Sequence, residues 1–469
     1  MHTAQSPLCK VRRTFIGSRD FYKMVLMIVI PIIVQNAITN FVSLLDNIMV
    51  GRIGTDQMTG VSIVNQLLFV SNLCVFGGVS GAGIFASQYH GAGQPEGVRN
   101  CFRYKFYLCL GLTIITLAVL LLAGTPLISL YLSDTSDPER VALTLKYGND
   151  YMAMMLWGIA PFALSQAYAS TLRETGETTL PMRAGIIAVF INLILNYILI
   201  YGKLGAPAMG VRGAALATVI SRYAELAIIA IATHSHPERY PFIYGAYSSP
   251  KVPMNLVKQI TLKGMPLLLN EALWSMGIAT ITQCYSQRGL DVVTALNISS
   301  TVSNLFNVVF LAMGNATAII LGQVLGAQDI PKAKDYVWKL VAYSCLCSVG
   351  TGILLSIASP LIPLIYNTEP HIRHLATKLL LVCACCMPIF SVSNSSYFIL
   401  RSGGKTMITF VFDCVFTWVV NLSTAYALIT FTDMNIIGVY LCVQLTDLLK
   451  CALGMTLVYK GVWINNIVE

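Results

Sequence analysis

Asp46, Glu271 and Asp413 lie within or at the ends of long apolar runs of this chain. Charge at membrane depth is expensive, about 2.5–3.5 kcal/mol on insertion scales, and is usually functional. Each carboxylate has polar residues at helical spacing. Asn36, Thr39 and Ser43 precede Asp46 at intervals of three and four, on one helix face. Asn192 and Asn196 are four apart and share a face, and Asp413, Thr417 and Asn421 form a stripe at i, i+4 and i+8. A polar stripe in an apolar helix should face protein, not lipid. Carboxylates among amides and hydroxyls suit cation binding. A proton needs one carboxylate and partners that respond to its protonation, whereas sodium wants several oxygens; the residue types leave both open. No nucleophile–base arrangement for an enzyme is evident.

The elements that must carry these groups follow from composition. The chain has 469 residues, 56% hydrophobic and 11% charged, against roughly 25% charged in an average soluble domain. A soluble chain of this size lacks the charge to cover its surface, so the surface is expected to face lipid. The net charge of +9 does not indicate nucleic acid, because the basic residues sit in short loops and form no patch. A spanning helix needs about 20 apolar residues. Met24–Leu45, Phe106–Ser133, Tyr151–Leu172, Ala184–Gly202, Leu340–Thr368 and Leu379–Leu400 contain no Asp, Glu, Lys or Arg. The longer runs Gln57–Pro95 and Val292–Gln328 each hold one helix and a loop. Helices around 211–233 (Arg222, Glu225), 264–286 (Glu271), 406–431 (Asp413) and 436–459 (Asp447, Lys450) complete twelve spans. The expectation is an all-α integral membrane protein. Barrel strands are excluded, because alternation is absent and the runs exceed about 9–11 residues.

Twelve spans put both termini on one side. That side carries 21 Lys and Arg and the other 8, so both termini should be cytoplasmic. Residues 1–23 are polar and basic, with no apolar core of a cleavable leader, and read as an interfacial segment. The thirteen cysteines form no zinc pattern and read as small core residues. His371 and His374 form a lone HxxH that chance explains. Arg222 and Glu225, three apart, should pair with each other. Arg173 and Arg401, at equivalent helix ends, should bind lipid headgroups or carbonyls, and Asp447 should be structural. Gly403-Gly404-Lys405-Thr406 fails as a phosphate loop because Ile399 stands where its first glycine belongs.

The chain is also a duplication. A shift of 235 residues aligns 31–99 with 266–334 without a gap, matching Pro31 with Pro266, Gln88 with Gln323 and Gly91 with Gly326. Farther on, Leu172-Arg173 matches Leu400-Arg401 and Asn196 matches Asn421. Residues 1–233 are read as an N-lobe, 234–255 as a cytoplasmic linker and 256–469 as a C-lobe. Six spans per repeat give both lobes one orientation, related by a pseudo-two-fold axis along the membrane normal. This favours a transporter over a channel or membrane enzyme.

The segments LLDNIMVGRIGTDQMTG (44–60), ASQYHGAGQPEGVR and LGQVLGAQDIPKAK at the second- and eighth-helix exits, and LRETGETTLPM and LRSGGKTMITF after the fourth and tenth helices together resemble the multidrug and toxic compound extrusion (MATE) family. The resemblance covers nearly the whole chain in order. It implies export of organic, often cationic, compounds, driven by inward flow of protons or sodium ions. It makes Asp46 the first-helix aspartate of an ion-coupling cavity, lined by Asn192 and Asn196, with Gln166 of the fourth helix as a further candidate. The seventh-helix glutamate of many members falls where this chain has Trp274, and MPIFSVSNSSYFILR lacks a tenth-helix aspartate. Glu271, Asp413, Thr417 and Asn421 are therefore expected to contact cationic substrate or a second ion. Asn394 and Ser395 are candidates to join that stripe. The expected partners are small organic cations and membrane lipid, with no nucleic acid, nucleotide, cofactor or metal beyond the coupling ion. The chain is expected to act as a monomer in the plasma membrane. The rival reading is a flippase of lipid-linked oligosaccharide, or an exporter of one metabolite.

Overall fold

The computed structural model describes residues 14–132, 138–365 and 369–468. They contain helices and turns and no strand. The helices are α1 (Arg19–Gly51), α2 (Thr55–Gly91), α3 (Pro95–Leu130), α4 (Pro138–Met155), α5 (Ile159–Glu174), α6 (Thr179–Tyr201) and α7 (Val211–Ser235). They continue with α8 (Met254–Ser286), α9 (Leu290–Gly326), α10 (Ile330–Ala358) and α11 (Pro370–Ser402). The last are α12 (Thr406–Phe410), α13 (Leu422–Phe431), α14 (Ile436–Leu445) and α15 (Asp447–Tyr459).

Among the described residues, ten helical stretches are long and apolar enough to cross a membrane. The other two spans expected from sequence are helical as well. One is α4 and α5, joined through a 3-10 turn at Leu156–Gly158; the other is α8, with Pro266 inside it. Proline is tolerated within such helices, because neighbouring helices re-satisfy the freed backbone groups. Pro31 in α1 and Pro266 in α8 are the two repeat-related cases. Between α12 and α13 the helix widens into two π-helical segments, Val411–Val415 and Thr417–Asn421. Asp413, Thr417 and Asn421 all lie in them. Single π turns inside helices are frequent at functional sites.

The chain forms two compact units. One comprises Val34–Ala86 and Pro95–Gly264. The other comprises the described part of Met1–Ile33, Ser87–Gln94 and the described part of Met265–Glu469.

In the first unit, α6 packs along α7, and α3 packs on α5. Its core joins Val61, Val64, Ile128, Met155, Ile159 and Ala215. Lipid tails are as apolar as leucine, so close contact of small residues drives such packing. A Cβ on Gly60 would lie 2.8 Å from the Thr144 carbonyl oxygen and the Gly148 nitrogen. Lys105 of α3 is fully buried. Its ammonium is spent on the Glu174 carboxylate, Ser170 Oγ at 3.1 Å and Thr171 Oγ1 at 3.2 Å. The segment after α7 is fastened to this unit. Phe242 is buried against Phe102, and Arg103 donates to the Gly245 and Ala246 carbonyls, each at 2.7 Å.

In the second unit, α9 is clasped by α11 and α10. Phe21, Val25 and Val29 of α1 join Met313, Ile320 and Leu321 of α9, Leu340 of α10 and Trp463 in one core. The repeat-related ends of α2 and α9 meet reciprocally. A Cβ on Gly91 would overlap the Gln323 carbonyl, and one on Gly326 would overlap the Gln88 carbonyl. The Gln88 side chain donates to the Ser402 and Asn465 carbonyls and accepts from the Ile467 amide at 2.9 Å. It thereby ties the C-terminal segment to the turn after α11.

Candidate functional site

Two sets of intramembrane polar groups stand out, one in each unit.

The first is built on α1, α6 and α7. Asn196 Nδ2 donates to Asp46 Oδ1 at 2.6 Å and to Asn192 Oδ1 at 3.1 Å. Asn192 Nδ2 lies 3.2 Å from Thr218 Oγ1 of α7. With its amide turned the other way, Asn192 donates to both Asp46 oxygens at 3.1 Å while its oxygen accepts from Thr218. Both asparagines are buried, and the Asn196 side-chain oxygen has no hydrogen-bond partner. Asp46 makes no ion pair among the described residues. The structure thus joins one carboxylate to two amides and a hydroxyl, with an amide oxygen to spare. Oxygen-rich, partly unpartnered groups of this kind can hold a monovalent cation or a proton.

The four-residue spacing of Asn192 and Asn196 puts both on the α6 face that meets Asp46. Thr218 was not legible in the sequence; nothing in its own spacing marks it. Asn36, Thr39 and Gln166 do not join. Asn36 is ten residues from Asp46, about 15 Å along a helix at 1.5 Å per residue. Thr39 is exposed and donates to the Gln35 carbonyl of its own helix at 2.8 Å. The side chain of Ser43 lies outside the described residues. Gln166 is buried on α5, but shares no hydrogen bond with Asp46, Asn192 or Asn196.

The second set is built on α8, the π-helical turn and α15. Asp413 Oδ1 lies 2.5 Å from Lys450 Nζ, and Asp413 Oδ2 accepts from Asn270 Nδ2 at 3.0 Å. Lys450 is buried, and its ammonium also sits 5.4 Å from the centroid of the Phe412 ring. The expected stripe is split by its own hydrogen bonds. Thr417 Oγ1 donates back to the Asp413 main-chain carbonyl at 2.9 Å, the local bonding that Thr adopts in a helix. Asn421 Oδ1 accepts from Thr446 Oγ1 at 2.9 Å, between α14 and α15. The Asp413 carboxylate, the Thr417 hydroxyl and the Asn421 amide therefore share no common partner.

Glu271 stands beside Asn270 but makes no hydrogen bond or ion pair among the described residues. Arg401 and Asp413 are its electrostatic neighbours. The Arg401 guanidinium lies 5.4 Å from the Phe398 ring centroid. The Tyr397, Asn394 and Ser395 side-chain oxygens are buried without partners, and none of the three bonds to Asp413.

Other charged residues also depart from the sequence reading. Arg222 and Glu225 form no ion pair; Arg222 donates to the Gly158 carbonyl at 3.1 Å and lies 4.9 Å from the Phe162 ring centroid. The 3-10 turn between α4 and α5, not the neighbouring side chain on α7, supplies its acceptor. Glu225 lies within electrostatic reach of both Arg173 and Arg222. His371 contacts Asp291 at 2.9 Å and Glu369 at 3.3 Å.

A family model described as MatE matches residues 31–198 and 266–427, segments that begin at the repeat-related Pro31 and Pro266. The chain is 21% identical over 448 residues to a probable multidrug resistance protein NorM of Thermotoga maritima, covering 95% of this chain and 93% of that one. It is 24% identical over 451 residues to a probable multidrug resistance protein YoeA of Bacillus subtilis, covering 94% and 93%. Among solved structures, a MATE in complex with MaD3S superposes with a TM-score of 0.84 at 18% identity, covering 96% of this chain and 98% of that one.

Proposed function

From the premise that the chain belongs to the MatE family and is a multi-pass membrane protein, we propose that it is a secondary-active exporter of organic, cationic compounds. It works by alternating access, in antiport with protons or sodium ions. It is a transporter and not an enzyme, and it works as a monomer in the plasma membrane with both termini in the cytoplasm. The relatives named as multidrug resistance proteins support the export reading.

One observation carries the mechanism: Asp46 is held by the Asn196 amide at 2.6 Å and has no basic partner among the described residues. A lone intramembrane carboxylate is costly, and binding a cation or proton relieves that cost. Asp46 is the group that takes and releases the driving ion; Asn192, Asn196 and Thr218 supply the surrounding dipoles. Glu271, unpaired and partly buried, is the contact for a cationic substrate. Loading and emptying Asp46 then biases which side the substrate reaches, because a ligand shifts an equilibrium only by its differential affinity for two states.

The test is uptake of a fluorescent organic cation by proteoliposomes under an imposed proton gradient or an imposed sodium gradient. Wild type should respond to one of them and Asp46→Asn to neither. Equal gradient-driven transport by Asp46→Asn would remove Asp46 from the coupling step.

A further inference from the structure

The second half of the chain inverts the charges at two positions of the first. A shift of 225 residues places Asn196 on Asn421, Asn192 on Thr417 and Gly213 on Gly438. The same shift places Arg222 on Asp447 and Glu225 on Lys450. Where the first half has a glutamate on its sixth span, the second half has an ammonium.

That ammonium is not spare. It lies 2.5 Å from one oxygen of Asp413, and Asn270 donates to the other at 3.0 Å. Asp447 reaches Lys450 electrostatically from one turn away. Glu271, with Arg401 as its own electrostatic neighbour, lies beyond Asp413. Asp46 in the other unit receives only amides and makes no ion pair among the described residues.

We propose that Lys450 is a built-in cation: its ammonium occupies the position on Asp413 that a mobile ion would take, so Asp413 binds no driving ion and transport is coupled to one ion at Asp46. The physical argument is charge balance. An ammonium and a sodium ion carry the same charge, and a second cation brought to the same carboxylate would be repelled by the first at short range and low dielectric. A buried carboxylate needs a partner. A tethered one is always present and loses no translational freedom on each cycle. This inference rests on the antiport reading.

The test is labelling of the full-length protein in lipid nanodiscs with dicyclohexylcarbodiimide, which reacts with protonated carboxyls in apolar surroundings, mapped by peptide mass spectrometry. In wild type, Asp46 should be labelled; sodium should lower that label if it is the driving ion, and raising the pH should lower it if the proton is. Asp413 should carry at least tenfold less label at every pH and sodium concentration. Lys450→Met should raise Asp413 labelling at least tenfold and make it sensitive to the ion, whereas Lys450→Arg should keep it low. Asp413 labelled as strongly as Asp46 in wild type, or unchanged in Lys450→Met, overturns the inference. Where Lys450→Met does not fold, the wild-type ion-to-drug ratio decides, read from the opposing gradient that halts net flux. A single ion per drug molecule supports the inference and two overturn it. If no gradient drives transport, the antiport reading fails by itself, and the labelling contrast still shows whether Asp413 is closed to ions.

Discussion

Asn196 and Asp46, 150 residues apart in sequence, are joined by a hydrogen bond of 2.6 Å from the asparagine amide to the carboxylate. The bond joins residues that each stand five positions before the end of a spanning helix, Tyr201 for one and Gly51 for the other. It gives a carboxylate at membrane depth a neutral partner, which holds it in place without satisfying its charge.

Removing that amide should impair coupling. A hydrogen bond to a charged group contributes about 1.5–3 kcal/mol, so Asn196→Ala should lower gradient-driven transport by roughly tenfold or more. Gln166→Leu, at a buried position with no hydrogen bond to the cluster, should stay within about twofold. Initial rates in proteoliposomes, normalised to reconstituted protein, check both. A Gln166→Leu defect as deep as that of Asn196→Ala would place Gln166 in the cavity after all.

Substrate charge should be read by Glu271. Its carboxylate makes no ion pair among the described residues, unlike that of Asp413. Glu271→Gln should raise the half-saturating concentration of a monovalent organic cation about tenfold, with little effect on a neutral compound of similar size. A concentration series with the two compounds shows the difference. An equal change for both would mean that Glu271 acts on the protein and not on substrate charge.

The Lys105–Glu174 pair should be structural. Lys105 is fully buried and satisfied by Glu174, Ser170 and Thr171. Breaking a buried pair on one side costs about 3–5 kcal/mol, whereas replacing both members with neutral groups costs much less. Lys105→Met should therefore lower the thermal midpoint of the detergent-solubilised protein by several degrees. The Lys105→Met/Glu174→Gln double variant should recover most of that loss. A double variant no more stable than the single one counts against a paired role.

Two helical glycines, Gly326 and Gly111, should differ sharply in tolerance. Gly326 leaves no room for a Cβ beside the Gln88 carbonyl, while a Cβ on Gly111 would meet nothing within 4 Å. Overpacking costs about 1–3 kcal/mol, and glycine inside a helix about 0.5–1 kcal/mol relative to alanine. Gly326→Ala should thus destabilise, and Gly111→Ala should be neutral or slightly stabilising, by the same thermal assay.

Much of this molecule is written along the chain. Apolar runs near 20 residues can satisfy their backbone in lipid only as helices, so span positions follow from composition. The repeat is equally direct, because Pro31 and Pro266, or Gly91 and Gly326, recur at one fixed shift. Asn192 and Asn196 were legible as a pair for a local reason: residues four apart share a helix face.

What joins one helix to another was not legible. Thr218 has no signal of its own, yet it completes the Asp46 cluster from α7. Lys450 stands near Asp447 in sequence, but tertiary packing hands it to Asp413, 37 residues away. Asp413, Thr417 and Asn421 form a stripe by spacing, yet each is claimed by a different group, because a side chain bonds to the nearest polar atom in space. The sequence by itself determined the helices, their repeat and which residues would carry charge into the membrane, since these depend on local periodicity and on the cost of burying a charge. Only the tertiary structure decided that Asp46 receives amides and no ion pair among the described residues while Asp413 is paired with Lys450, since partnership inside a membrane depends on which helices touch.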